Sequence, residues 1–97
     1  FVFLGNKKLK THHTPGHSPG SICIEVGQNL IAGDLFFWDK FGRTDLPGGN
    51  EKELNSSLQF IINEFMGYTI YPGHGRPFKL NAERKEIILK KLNGYTN

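Results

Sequence analysis

The sequence predicts a mixed α/β fold, and three observations carry that expectation. Residues 21–26, SICIEV, alternate apolar and polar with the period of a strand. Leu54, Leu58, Ile61, Ile62 and Phe65 recur at the spacing of one helix face. The order along the chain is strands, a long loop, a helix, a strand, a tight loop and a last helix, so the two kinds of element interleave.

Each element has its own signal. Phe1–Leu4 reads as a short apolar strand, turned by "GNK" into a second strand over Lys8–His12. That strand runs into "HTPGHSPGS" at 13–21, too rich in proline and glycine to be helix or strand. In "SICIEV", Ile22, Ile24 and Val26 face one way and Ser21, Cys23 and Glu25 the other, as in a half-buried strand. "GQN" turns the chain into "LIAGD", a strand with Asp34 at its end. Residues 35–50 form a long loop, first aromatic and then rich in turn formers. Asn50 is placed to cap the next helix, with Glu53 three residues on completing a capping box, and Gly67 closes it. "YTIYP" is a short strand ended by Pro72, and "GHGRP" a tight loop. Asn81 caps the last helix, expected over Ala82–Asn93, with Gly94 just past its end.

Composition narrows the function classes. At 97 residues the chain fits one small domain, and 37% hydrophobic with 22% charged residues suits a soluble fold rather than disorder. The net charge is +3, but the lysines come in short pairs, so no nucleic-acid partner is expected. No apolar run approaches the ~20 residues of a membrane span and no signal peptide is visible, so no membrane partner is expected either. A single cysteine excludes an internal disulfide and fits a reducing, cytoplasmic compartment. The start at Phe1, already inside strand-like sequence, leads to the expectation that a longer protein has been cut.

Three strand ends each deliver one candidate metal ligand to a glycine-flanked loop: His17 in "TPGHSPG", Asp34 in "AGDLF" and His74 in "YPGHG". Glycine lets the backbone approach closely and proline stiffens the turn, so such a side chain is aimed in advance. Imidazole and carboxylate suit zinc, iron or manganese. Taken singly, a histidine in such a turn is ordinarily a surface or hydrogen-bonding residue, and an aspartate after a strand a turn or cap residue; three such loops in one short chain strengthen the joint case. Alternation sends His12 and His13 to opposite faces, so both cannot serve one site, and both read as structural. Cys23 reads as a small packing residue on an outer or inter-layer face rather than a nucleophile.

"HTPGHSPGS", "GDLFF", "GRTDLPGG" and "YPGHG", in this order and spacing, resemble the metallo-β-lactamase-fold hydrolases, and among them the short glyoxalase II-like thioester hydrolases. The likeness runs from about residue 8 to 93. It implies that His17 binds a first metal, His74 a second, and Asp34 bridges the two as the catalytic residue. Arg43 and Asp45 resemble a loop that supports the site or touches substrate. It implies zinc, two ions in the intact protein, with iron or manganese as alternatives. The implied reaction is hydrolysis of a thioester such as hydroxyacylglutathione, by a metal-bound water that loses its proton near neutral pH.

The chain departs from that family in one respect: it holds no "HxHxDH" stretch. The expectation is therefore that residues 1–97 are the C-terminal half of an αββα sandwich, a mixed sheet with two helices on one face, inactive alone. Its open sheet face, with Phe36, Phe37, Trp38 and Phe41 nearby and facing water, is expected to pair with the missing N-terminal half or with a second copy. Two other readings stand beside this one. A mono-iron persulfide dioxygenase-like oxidoreductase shares the "GRTD" look, although "DLPGG" leans towards the hydrolase. A degenerate, non-catalytic binding module would instead use the basic charge on an anionic partner.

Overall fold

The computed structural model describes residues 2–94. Six strands run in the order β1 (Val2–Leu4), β2 (Lys7–His13), β3 (Ile22–Val26), β4 (Asn29–Gly33), β5 (Thr69–Pro72) and β6 (Phe78–Lys79), each beside the next. All neighbours are antiparallel except β4 and β5, which are parallel, so the sheet is mixed as expected. The long connection between β4 and β5 carries helix α1 (Glu51–Glu64), and α2 (Ala82–Leu92) follows β6. Phe1, expected at the head of the first strand, lies outside the described residues.

Strand register decides which face is buried. His12 opposes Cys23, Glu25 opposes Leu30, Leu30 opposes Ile70, and Ile70 opposes Phe78, so these residues share one face. On that face Cys23, Leu30, Ala32 and Ile70 pack in one cluster with Leu54, Leu58, Ile61 and Ile62 of α1 and Ile88 of α2. Both helices therefore cover the side that carries Cys23. The more apolar phase of "SICIEV" points the other way: Ile22 is 47% exposed, Ile31 44% and Tyr71 41%, with Ile24 and Val26 half-buried between them. Glu25 is accommodated on the covered face because it has partners there. It accepts hydrogen bonds from His12 Nε2 at 2.9 Å and Tyr68 Oη at 2.8 Å.

The aromatic loop is a correction. Phe36 and Phe37 do not face water; they are 1% and 6% exposed, and Phe41 is half-buried. After Asp34 the chain folds back as a small hairpin. Phe36 bridges Phe41, Phe37 N–H donates to the Lys40 carbonyl at 2.8 Å, and Gly42 N–H donates to Leu35 O at 2.9 Å. That turn drives Phe36 edge-on against Phe78 and leaves only Trp38 at the rim. A local hairpin of this kind has no periodicity for a sequence pattern to show.

β6 also escaped the sequence reading. Two residues are too few for alternation; the strand exists because β5 would otherwise present a bare edge. Gly67 N–H donates to Leu80 O and Leu80 N–H to Tyr68 O, each at 2.8 Å, and Phe78 fills the core beside Ile70. The helix caps are as read, with one change. Asn50 Oδ1 accepts from Glu53 N at 2.9 Å, but Asn50's own N–H goes to the carbonyl of Gly16 at 2.7 Å rather than to the Glu53 side chain. The capping box is half replaced by a tertiary contact. Asn81 Oδ1 accepts from Arg84 N at 3.0 Å, and Asn93 is the C-cap of α2. Among the described residues no helix is long and apolar enough to cross a membrane.

Candidate metal centre

The β2–β3 connection is closed by Thr14 N–H donating to Ser21 O at 2.9 Å. It is then docked on the start of α1: Ser57 Oγ–H donates to Pro15 O at 2.7 Å, beside the Asn50-to-Gly16 bond. Gly16 sits at φ 142°, and a Cβ there would lie 2.4 Å from Leu54 Cα. Only glycine lets the turn press so closely on the helix. The next residue, His17, is thereby fixed in space.

His17 Nδ1 lies 2.9 Å from the carbonyl oxygen of Arg43. A carbonyl only accepts, so Nδ1 carries the proton, and in the neutral ring the lone pair is on Nε2. Nε2 faces Asp34 Oδ2 at 3.8 Å. The other carboxylate oxygen, Oδ1, faces His74 Nδ1 at 3.6 Å. Asp34 and His74 meet because β4 and β5 are parallel and end together: Gly33 pairs with Pro72, and Gly73 N–H donates to Gly33 O at 2.7 Å. Gly73 also makes room, since a Cβ on it would lie 2.5 Å from Asp34 Oδ1. Phe37 stacks on the His74 ring at 4.4 Å between centroids.

Both nitrogen–oxygen separations are too long for hydrogen bonds. They suit a shared cation: bonds of about 2.0–2.2 Å to nitrogen and oxygen span donors up to about 4.2 Å apart. Among the described residues no three His, Cys, Asp or Glu side chains converge on a single point that could hold one ion. What the fold assembles is two imidazole–carboxylate pairs sharing Asp34. His17, Asp34 and His74 are thus brought together from three loops far apart in sequence.

The other sequence-derived candidates sort themselves out around this centre. The Arg43 and Asp45 side chains bind each other, with Nε to Oδ1 at 3.0 Å and Nη2 to Oδ2 at 3.1 Å. That hydrogen bonding raises the Arg43 guanidinium pKa and holds the Asp45 carboxyl below its usual range. It is the Arg43 backbone carbonyl, not the guanidinium, that touches His17. The following residue anchors the loop: Thr44 Oγ1–H donates to Glu51 Oε2 at 2.7 Å, and Lys91 donates to the other oxygen of Glu51. His12 is held by Glu25 between the rings of Phe60 and Phe65, and His13 Nε2 lies 2.6 Å from Pro19 O; neither joins the centre. Cys23 is buried with its thiol pKa pushed up by burial, a packing residue as read. Sequence reasoning missed Phe37, the Arg43 carbonyl and the spacing role of Gly73. Only the last had a visible signal, the "PGH" triplet repeated at 15–17 and 72–74.

Residues 2–74 match the family described as the metallo-beta-lactamase superfamily. The chain belongs to the metallo-beta-lactamase superfamily. Within this superfamily it is 40% identical over 96 residues to a probable metallo-hydrolase, YqgX, of Bacillus subtilis, covering 96% of this chain and 44% of that protein. It is 36% identical over 73 residues to a hydroxyacylglutathione hydrolase of Anaeromyxobacter dehalogenans, covering 75% of this chain and 29% of the relative. Among solved structures it resembles TTHA1623 in a di-iron-bound form, with a TM-score of 0.71 and 32% identity over 99% of this chain and 43% of that one. The chain thus spans less than half the length of these superfamily relatives. Its mixed sheet with two helices corresponds to part of the metallo-beta-lactamase fold.

Proposed function

We propose that this chain is the C-terminal half of a two-metal hydrolase acting on thioesters of the hydroxyacylglutathione kind. One observation carries the reading: a single carboxylate, Asp34, presents one oxygen to His17 and the other to His74. In this reading His17 and His74 would each hold one metal, with Asp34 as the ligand common to both. Zinc is the first choice, with iron or manganese as alternatives. Bound there, the metals would polarise the thioester carbonyl and supply a water acidic enough to react at neutral pH. The chain's own residues do the positioning. The Arg43 carbonyl keeps His17 in one tautomer, Phe37 fixes the plane of His74, and Gly73 leaves the carboxylate room. A similar hydroxyacylglutathione hydrolase supports the substrate class.

Two donors per ion fall short of the four that a zinc site takes. The remaining ligands come, in this reading, from an N-terminal half that packs on the open face formed by Ile22, Ile24, Val26, Ile31 and Tyr71; a second copy is the alternative occupant. The lone cysteine fits a reducing, cytoplasmic setting.

Calorimetric zinc titration of the chain is expected to give binding at about micromolar strength or weaker. In the metal-loaded protein containing this chain, Asp34→Asn is expected to lose one metal and about 100-fold or more in thioester turnover, since changes behind the ligands alone cost about 10–100-fold. Arg43→Ala is expected to cost less, because its carbonyl remains. Full metal content and near-normal turnover in Asp34→Asn would refute the assignment. Oxygen uptake with one iron per chain would replace the hydrolase with the persulfide oxidoreductase.

A further inference from the structure

We propose that the cavity beside His74 binds an oxyanion, a carboxylate or phosphate at the end of the substrate's arm. Its role as a substrate subsite rests on the reading of the metal centre above; its binding of the anion does not. The cavity holds about 320 Å³ and is lined by Phe37, Trp38, Asp39, Lys40, His74 and Arg76. It thus opens directly beside one of the imidazoles of the metal centre, and its size suits a short polar arm rather than a second large ligand.

The charges around it are held in an unusual way. The Arg76 guanidinium lies 4.3 Å from the Trp38 ring, and Lys40 Nζ lies 5.6 Å from the Phe37 ring. A third cation, Arg84, lies 4.7 Å from Trp38 and 5.4 Å from Phe78. Arg84 is only 6% exposed, and its Nε is buried without a hydrogen-bond partner. Among the described residues none of these three cations makes an ion pair with a carboxylate. Aromatic faces hold them instead. Stacking occupies the face of a guanidinium but leaves its N–H edge free, and that edge is the part that recognises carboxylate and phosphate. Of the side chains that line the cavity, Lys40 and Arg76 outnumber Asp39 and leave it positive, with the buried Arg84 behind Trp38.

Trp38 is the only tryptophan in the chain, so its emission reports on this pocket. The test titrates that emission in the metal-free protein with S-methylglutathione, which carries carboxylates, with 4′-phosphopantetheine, which carries phosphate, and with pantetheine, which carries neither. A saturable change with one anionic probe, half-complete near about 1 mM, is expected, with pantetheine at least about tenfold weaker. Whichever anionic probe responds identifies the source of the oxyanion. Arg76→Gln, Arg76→Ala and Lys40→Ala should each weaken that response by about three- to tenfold, with circular dichroism confirming that they fold. No saturable response, an equal response to pantetheine, or wild-type binding in every variant that folds would overturn the proposal. Metal uptake is read separately by calorimetry. Uptake without a Trp38 response overturns the pocket alone, whereas a Trp38 response in a protein whose zinc uptake Asp34→Asn leaves unchanged supports the pocket and overturns the metal centre.

Discussion

Gly73→Ala should damage the metal centre while barely touching the fold. Gly73 precedes His74 and lies against Asp34. An added methyl would stand 2.5 Å from Asp34 Oδ1, with Gly33 C and O at 3.2 and 3.3 Å. The first distance is about 1 Å inside ordinary contact. The two backbone contacts are merely tight, and Gly73 is not among the glycines with positive φ, so alanine brings no backbone strain. The carboxylate is the group that can yield, since Asp34 is 48% exposed and can swing outward. That swing moves one shared oxygen by about 1 Å, where binding constellations tolerate about 0.5 Å. Zinc affinity should fall about 10–100-fold, in the range found for altered supporting contacts. The melting temperature should change by only a few degrees, as for other surface changes of about 0.5 kcal/mol. Calorimetry with zinc and thermal melting on the same samples supply both readings. Unchanged zinc affinity in a well-folded Gly73→Ala protein would mean that Asp34 Oδ1 is not a ligand. A collapse in melting temperature would mean that the backbone, not the carboxylate, had yielded.

Acid should weaken the fold in part through Glu25. Burial alone would raise its carboxyl, but hydrogen bonds from His12 and Tyr68, with the charges of His12 and Lys10, hold it below its ordinary value of 4.5. A carboxyl lowered in the folded state stabilises above that ordinary value and loses its contribution as pH falls through the folded one. Urea midpoints should therefore drop between about pH 5 and pH 3, and Glu25→Gln should flatten the drop; an equally steep drop in Glu25→Gln would remove Glu25 from the account. The open face makes a separate prediction. Burying a few hundred Å² of apolar surface favours association by several kcal/mol at about 25 cal/mol per Å², so light scattering at low micromolar concentration should show self-association. Ile31→Glu should reduce it without lowering the melting temperature, because Ile31 is 44% exposed. A monodisperse wild-type monomer would refute the pairing of this face.

The sequence by itself determined the elements other than β6 and singled out the candidate donors. Periods of two and near four in "SICIEV" and in Leu54 to Phe65 are local and come directly from backbone geometry, so strands and helices fell within a residue or two of their expected places. Asn50 and Asn81 cap where they were expected to, because a cap reaches only three residues. His17, Asp34 and His74 were legible as candidates because proline and glycine mark turns by restricting or freeing φ, which is again a local property. Tertiary structure decided everything that depends on partners distant in the chain. The buried face of β3 is the one with Cys23 and Glu25, since His12 and Tyr68 arrive to satisfy the carboxylate. Phe36 and Phe37 turned inward, since the loop after Asp34 folds back against Phe78. Asp34 came to lie between two imidazoles only because β4 and β5 run parallel and end together, and His17 took one tautomer only because the carbonyl of Arg43, twenty-six residues away, lies against its ring. A pattern in sequence records what a residue prefers for itself; which carbonyl, ring or carboxylate it meets is set by how the chain closes.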